Sequence, residues 1–259
     1  MIRDAARLLA QIRALHEDIR RAVVDQAERQ SVEALARIVA DERDEDTMFA
    51  IDRTGEEQLI AFFAREVAPE RSLVLVAEGL PDVGFGPGTA VLPHGVREED
   101  AEVRILVDPI DGTRGYMYQK RSAWILTGVA PNRGSDTRLR DIELAVQTEI
   151  PLVKQHLYDA LWATRGVGFA AERINRLSGE RQPLSLHHSA ATSVAQGFAT
   201  VSRFFPGLRL PLAEIDEEIM RGALGPVQRG KAQAFEDQYI CSGGQLYELI
   251  AGHDRFTTD

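Results

Sequence analysis

The hydrophobic pattern changes period near residue 70, and that change constrains the fold more than any other feature of the chain. Upstream, Ile2, Ala5, Leu9, Ile12, Leu15, Ile19 and Val23 recur at steps of three and four, which predicts an amphipathic helix. A second helical pattern runs from about Ser31, its N-cap, to Ala40, and a third over 56–67 is stopped by Pro69. Downstream the apolar runs become short and β-branched. LVLVA (73–77), VRILV (103–107), WILTGVA (124–130), DIELAVQTE (141–149), LYDALWAT (157–164) and GFATVSR (197–203) read as strands. The Gly- and Pro-rich stretch 81–100 reads as a loop or loose hairpin, and APNRGSDTR (130–138) as a turn-rich link. AEIDEEIMRGAL (213–224) and GGQLYELIAG (243–252) return to the helical period before HDRFTTD closes like a strand. Helices, then strands, then alternation predict a layered α/β or α+β protein, divided here into domains 1–150 and 151–259.

A chain of 259 residues with a formal charge of −10 lacks the basic footprint that a nucleic-acid backbone requires. An acidic protein still binds phosphate esters where metal ions supply positive charge locally. Cys241 is the single cysteine, which leaves no disulfide framework and no cysteine metal cage and fits a reducing compartment. The first 23 residues mix acids with arginines and lack an apolar signal-peptide core, and no apolar run approaches membrane-spanning length. A cytoplasmic protein without membrane partners is expected.

Against that background, VRILVDPIDGTRG (103–115) poses a chemical question. Two carboxylates three residues apart repel and are costly to desolvate unless a cation or a proton lies between them. A calcium loop counted from Asp108 needs Gly sixth and Glu twelfth, but Thr113 and Gln119 stand there. An aspartyl-phosphate D-x-D site needs acids two apart, and Ile110 occupies that slot. A Mg²⁺ site at a strand end fits: Pro109 and Gly112 force a tight turn that aims both carboxylates and the Ile110 carbonyl at one point. The same hexapeptide also reads as a turn with an aspartate helix cap. Glu78 follows the strand LVLVA and Asp52 precedes the third helix; singly they read as a solvated loop acid and an N-cap. His187 and His188 read as solvated, Trp124 and Trp162 as core, and DERDED (41–46) as a solvated turn.

Taken in order, Asp52, Glu78, Asp108, Ile110, Asp111 and Thr113 resemble the pattern of the inositol monophosphatase family, within the Mg²⁺-dependent, lithium-sensitive sugar phosphatases. LYDALWATRGVGFAAERINRL and SGGQLYELIAGHDRFTTD resemble later segments of that family, so the resemblance spans roughly 45–259. It implies a layered α-β-α-β-α sugar-phosphatase fold, usually dimeric, and hydrolysis of a small phosphate monoester such as an inositol or sugar phosphate. By resemblance, Glu78, Asp108, the Ile110 carbonyl and Asp111 hold two or three Mg²⁺ ions. Asp52, Glu78 and Thr113 are catalytic, Thr113 with Asp52 orienting and deprotonating the attacking water. Gly112, Thr113 and Asp259 meet the substrate, with phosphate at the helix N-terminus after the motif.

The departures from the family define the alternative. Gly79 replaces a second glutamate, Arg114-Gly115 replaces a polar-Asn pair, and residues 131–150 look like an insertion. The family also carries an aromatic-Asp motif one strand beyond the point where this sequence stops. Asp237, in FEDQY, precedes the SGGQLYELI helix instead of following the next strand. The chain is therefore expected to be a piece of a longer enzyme lacking the final strand-helix unit, with a weakened second metal position. Its alternative reading is an impaired phosphate- or metal-binding protein, or scaffold, of the same fold.

Overall fold

The computed structural model describes residues 1–35, 59–77, 80 and 88–259, in two units, Met1–Leu184 and Ser185–Asp259. The first is built on an eight-stranded mixed sheet, ordered β2-β1-β3-β4-β5-β6-β7-β8. Its strands are β1 (Leu73–Ala77), β2 (Thr89–Leu92), β3 (Val103–Asp111), β4 (Ala123–Pro131), β5 (Leu144–Ile150), β6 (Leu157–Thr164), β7 (Gly168–Asn175) and β8 (Arg181–Pro183). Only β1 and β3 pair in parallel; every other neighbour is antiparallel.

Helix α1 (Ala5–Arg29) covers one face of this sheet with the stripe Leu8, Ile12, Leu15, Ile19 and Val23, all essentially inaccessible. Burying each such side chain contributes roughly 1.5–3 kcal/mol. Helix α2 (Val32–Leu35) follows it. The helical segment 59–67 ends in a wider π-helical turn, Phe63–Val67, where the Ala68 N–H reaches back to Phe63 O (2.8 Å). Phe62, Phe63 and Val67 join the core that α1 makes with the sheet.

Several sequence expectations are corrected. For 81–100 the loop alternative gives way to the hairpin one, with β2 folded back antiparallel on β1. Residues 131–150 are not an insertion throughout, because 144–150 form β5, paired on both sides in the middle of the sheet. Strands β7 and β8 were not anticipated. A domain boundary at 150 falls inside the sheet, since β5 pairs with β6, whereas the two compact units part after Leu184.

The second unit contains β9 (Phe198–Val201) paired in parallel with β10 (Asp254–Thr258), and helices α4 (Arg209–Leu224) and α5 (Ser242–Ile250); the short helix α3 (Thr113–Met117) belongs to the first unit. Cys241 is buried and caps α5, its Sγ accepting from the Gly244 N–H (3.3 Å). No helix among the described residues is long and apolar enough to cross a membrane.

Candidate active site at the end of strand β3

Strand β3 keeps a regular ladder with β4 until Asp108 pairs with Leu126; the next partners are Asp111 and Trp124. Three steps on β3 therefore oppose two on β4, which is a β-bulge. Its cause lies in the motif. Pro109 has no N–H to donate, and the Ile110 N–H is taken by Asp108 Oδ1 (3.1 Å). A bulge re-aims side chains locally and bends the strand.

Gly112 then turns the chain with φ 92° and ψ 24°, a left-handed conformation that a Cβ would strain. It leads into α3 (Thr113–Met117), anchored in the core by Tyr116 and Met117. The Thr113 hydroxyl donates to the Ile110 carbonyl (2.8 Å), and the N–H groups of Gly115 and Tyr116 return to Gly112 O (3.0 and 3.1 Å). The hexapeptide is thus one tight turn: Ile110 is buried beneath it, while Asp108, Asp111 and Thr113 stay partly exposed. Strand β1 ends alongside, Ala77 pairing with Val107, the residue before Asp108.

Five described members of the predicted site are therefore adjacent. Asp108, Ile110, Asp111, Gly112 and Thr113 share this turn. Glu78 and Asp52 lie outside the described residues. Asp259 is exposed after β10 in the second unit, where Asp237 donates its N–H to Thr200 Oγ1 (3.3 Å). His187 and His188 are exposed, as expected, and Trp124 is buried. Trp162 is partly buried, stacked under the Arg13 guanidinium (3.7 Å to the ring centre). Among the described residues no three His, Cys, Asp or Glu side chains converge to hold a metal. The donors that the turn does supply, two carboxylates and a carbonyl, are hard oxygens of the kind Mg²⁺ takes.

Sequence reasoning missed a second polar assembly on the same sheet. Register places Asp111 beside Trp124, Trp124 beside Glu149, and Asp159 beside Arg173. Glu149 and Asp159 meet directly, because the Asp159 N–H donates to Glu149 Oε2 (3.1 Å). Laterally paired residues share a face, so one polar row crosses five strands at the motif's end of the sheet. Arg173 grips Asp159 with both Nε and Nη2 (2.8 Å each). Glu149 Oε1 lies 2.6 Å from the Ser122 hydroxyl. Burial pushes the Glu149 carboxyl up to about 7, helped by Asp159 and opposed by Ser122, the Asp159 N–H and Arg173. The available signal was Asp159, a lone acid in the apolar run LYDALWAT, now 3% exposed.

Against the opposite face, His16 of α1 is fully buried between Thr148 Oγ1 (Nδ1, 2.9 Å) and Thr127 Oγ1 (Nε2, 2.8 Å). Desolvation lowers its pKa to about 3, so it is neutral.

No protein-family model matches the sequence and no curated protein is similar to it. Solved structures are similar. The holo crystal structure of Leishmania major fructose-1,6-bisphosphatase superposes with a TM-score of 0.61 at 15% identity, over 96% of this chain and 71% of that one. The extragenic suppressor protein SuhB from Bartonella henselae gives 0.63 at 15% identity, over 97% and 78%. The chain has the fold of these two proteins. The expected α/β class, with a large mixed sheet flanked by helices, is met.

Proposed function

We propose that this chain is a Mg²⁺-dependent phosphoric monoester hydrolase acting on a small inositol- or sugar-phosphate-like substrate. The observation that carries the reading is DPIDGT on a bulged strand end, within a fold shared with a fructose-1,6-bisphosphatase. Asp108, Asp111 and the Ile110 carbonyl, with Glu78 one peptide beyond Ala77, would hold Mg²⁺. When bound, the metal supplies the charge that offsets these carboxylates, acidifies water and polarises a phosphoryl group. The chain's own residues supply the rest. Thr113 and Asp52 would orient and deprotonate water, and Gly112 and the first N–H groups of α3 would receive phosphate oxygens. Lithium inhibition, a homodimer and a cytoplasmic location belong to the same proposal.

A second reading, a phosphate- or metal-binding protein without turnover, is favoured by Gly79, which offers no carboxylate after Glu78. One experiment separates them. Phosphate release from inositol monophosphate and fructose 1,6-bisphosphate is measured with Mg²⁺ and with chelator, alongside calorimetry of Mg²⁺ binding. Mg²⁺-dependent release abolished by Asp108→Asn supports the enzyme. Binding without release supports the second reading, and neither binding nor release defeats both.

A further inference from the structure

Among the described residues, the contacts that join Glu149, Ser122 and Gln155 contain more acceptors than protons. The Ser122 hydroxyl, with one hydrogen, lies 2.6 Å from Glu149 Oε1 and 3.1 Å from Gln155 Oε1. Gln155 cannot be turned to present its NH₂ there, because the same oxygen accepts the Leu152 N–H (2.8 Å). If Glu149 were a carboxylate, Ser122 could serve only one of two oxygens, and the other contact would be acceptor against acceptor. A proton on Glu149 Oε1 resolves the count: Glu149 donates to Ser122, Ser122 donates to Gln155, and Oε2 still accepts the Asp159 N–H.

We propose that Glu149 is held as a neutral carboxylic acid and, in that form, positions the start of β4 beside Asp111. The chain Glu149–Ser122–Gln155 ties β5 to the residue before β4 and to the loop before β6. Trp124 sits two residues beyond Ser122, paired with Asp111 on one side and Glu149 on the other. Releasing the proton puts a negative charge beside Asp159, which is itself neutralised by Arg173. The remaining charged group on this row, Asp111, lies two strands away, roughly 10 Å at about 4.8 Å per strand. The expected response is loss of the Ser122–Gln155 link and loosening of 118–124. The raised Glu149 pKa agrees with the proton count.

The link to turnover rests on the phosphatase reading, whereas the proton and the positioning do not. The decisive measurement is infrared spectroscopy of the metal-free chain at about pH 6, where ordinary carboxyl groups are ionised. A protonated-carboxyl C=O band should be present, fade near neutrality and vanish in Glu149→Gln. Absence of the band from the parent, or its survival in the variant, overturns the proposal. Positioning is read by hydrogen exchange of 118–124, corrected for intrinsic rate. Protection should fall several-fold across the same pH range in the parent and stay constant in Glu149→Gln, because glutamine keeps a neutral donor and acceptor. Protection that is unchanged in the parent overturns the positioning role. In the phosphatase assay, parent and Glu149→Gln should turn over alike at about pH 6 and diverge several-fold above it. If neither hydrolyses any ester, the phosphatase reading fails, and the infrared and exchange results still decide this inference.

Discussion

The two faces of the large sheet handle buried polar groups in opposite ways. Where α1 meets the sheet, its His16 is enclosed between two threonine hydroxyls, each of its nitrogens has one partner, and the whole unit is packed in apolar core. On the other face, Asp111, Trp124, Glu149, Asp159 and Arg173 form a row that starts at a partly exposed turn and ends at an exposed arginine. The first arrangement fastens the N-terminal helix to β4 and β5. The second leaves carboxyl groups close together, a stored unfavourable interaction that a bound cation or proton relieves. A sheet can thus concentrate stability on one face and chemistry on the other, and substitutions on the two faces should be separable by what they alter.

The largest separation is expected in turnover. Thr113→Ala should lower phosphate release by about 10²–10⁴-fold, the usual weight of a general-base arrangement. Midpoints of thermal unfolding should change little, because Thr113 is partly exposed and its described hydrogen bond, to Ile110, is local. Parent-like turnover in a folded Thr113→Ala protein would remove Thr113 from the proposed chemistry.

The mirror image is His16→Ala. It leaves a cavity and two buried hydroxyls without partners, so it should cost about 4 kcal/mol in denaturant unfolding. Its effect on turnover per folded molecule should stay small. A loss of stability under about 1 kcal/mol would show that the threonines repair their hydrogen bonds elsewhere.

These two faces differed in how legible they were in the sequence. The motif was readable because its chemistry is local: DPIDGT holds the proline, the glycine and both acids within six residues. Likewise LYDALWAT gave β6 to its ends, since its apolar content marks a buried strand. Strand β7 escaped because its outward signals are charges. Glu172 is paired with Arg13 and Arg181, and Arg173 with Asp159, so ion pairs replace the apolar alternation. The Glu149 row escaped for another reason: its members are brought together by strand register, which no short window contains. His16 stood on the apolar stripe four residues after Ile12, and a lone histidine there was a readable sign of a buried neutral ring.

Titration sharpens the contrast, because the two groups push stability in opposite directions. The folded His16 pKa, about 3, lies below the ordinary 6.5, so its stabilisation is present above pH 6.5 and is lost as pH falls toward 3. The folded Glu149 pKa, about 7, lies above the ordinary 4.5, so its stabilisation is complete below pH 4.5 and is lost as pH rises through 7. Between 4.5 and 6.5 the slopes oppose, and parent stability should be nearly flat. Glu149→Gln removes one of them. The variant should match the parent near pH 4, rise with pH by up to about 1.4 kcal/mol per unit, and exceed the parent above pH 7 by about 3 kcal/mol. Denaturant midpoints collected across this range test it, and a variant less stable than the parent at pH 8 would mean that Glu149 is native as a carboxylate.

The smallest effect concerns the far end of the row. Arg173 is the weakest of the influences holding the Glu149 carboxyl down, and its guanidinium is half exposed, so solvent screens it. Arg173→Gln should therefore raise the Glu149 midpoint by less than about one unit. The source of the shift is the loss of the positive charge that Arg173 holds beside Asp159 and near Glu149. Its direction is the useful part, because a purely structural loosening of β7 would admit water, favour the carboxylate and lower the midpoint. An upward shift of the protonated-carboxyl band, with protection of 118–124 retained to higher pH, shows that the row acts as one electrostatic unit from Arg173 to Glu149. A downward or absent shift would confine the unit to Glu149, Ser122 and Gln155, and Asp159–Arg173 would then serve only to pair β6 with β7.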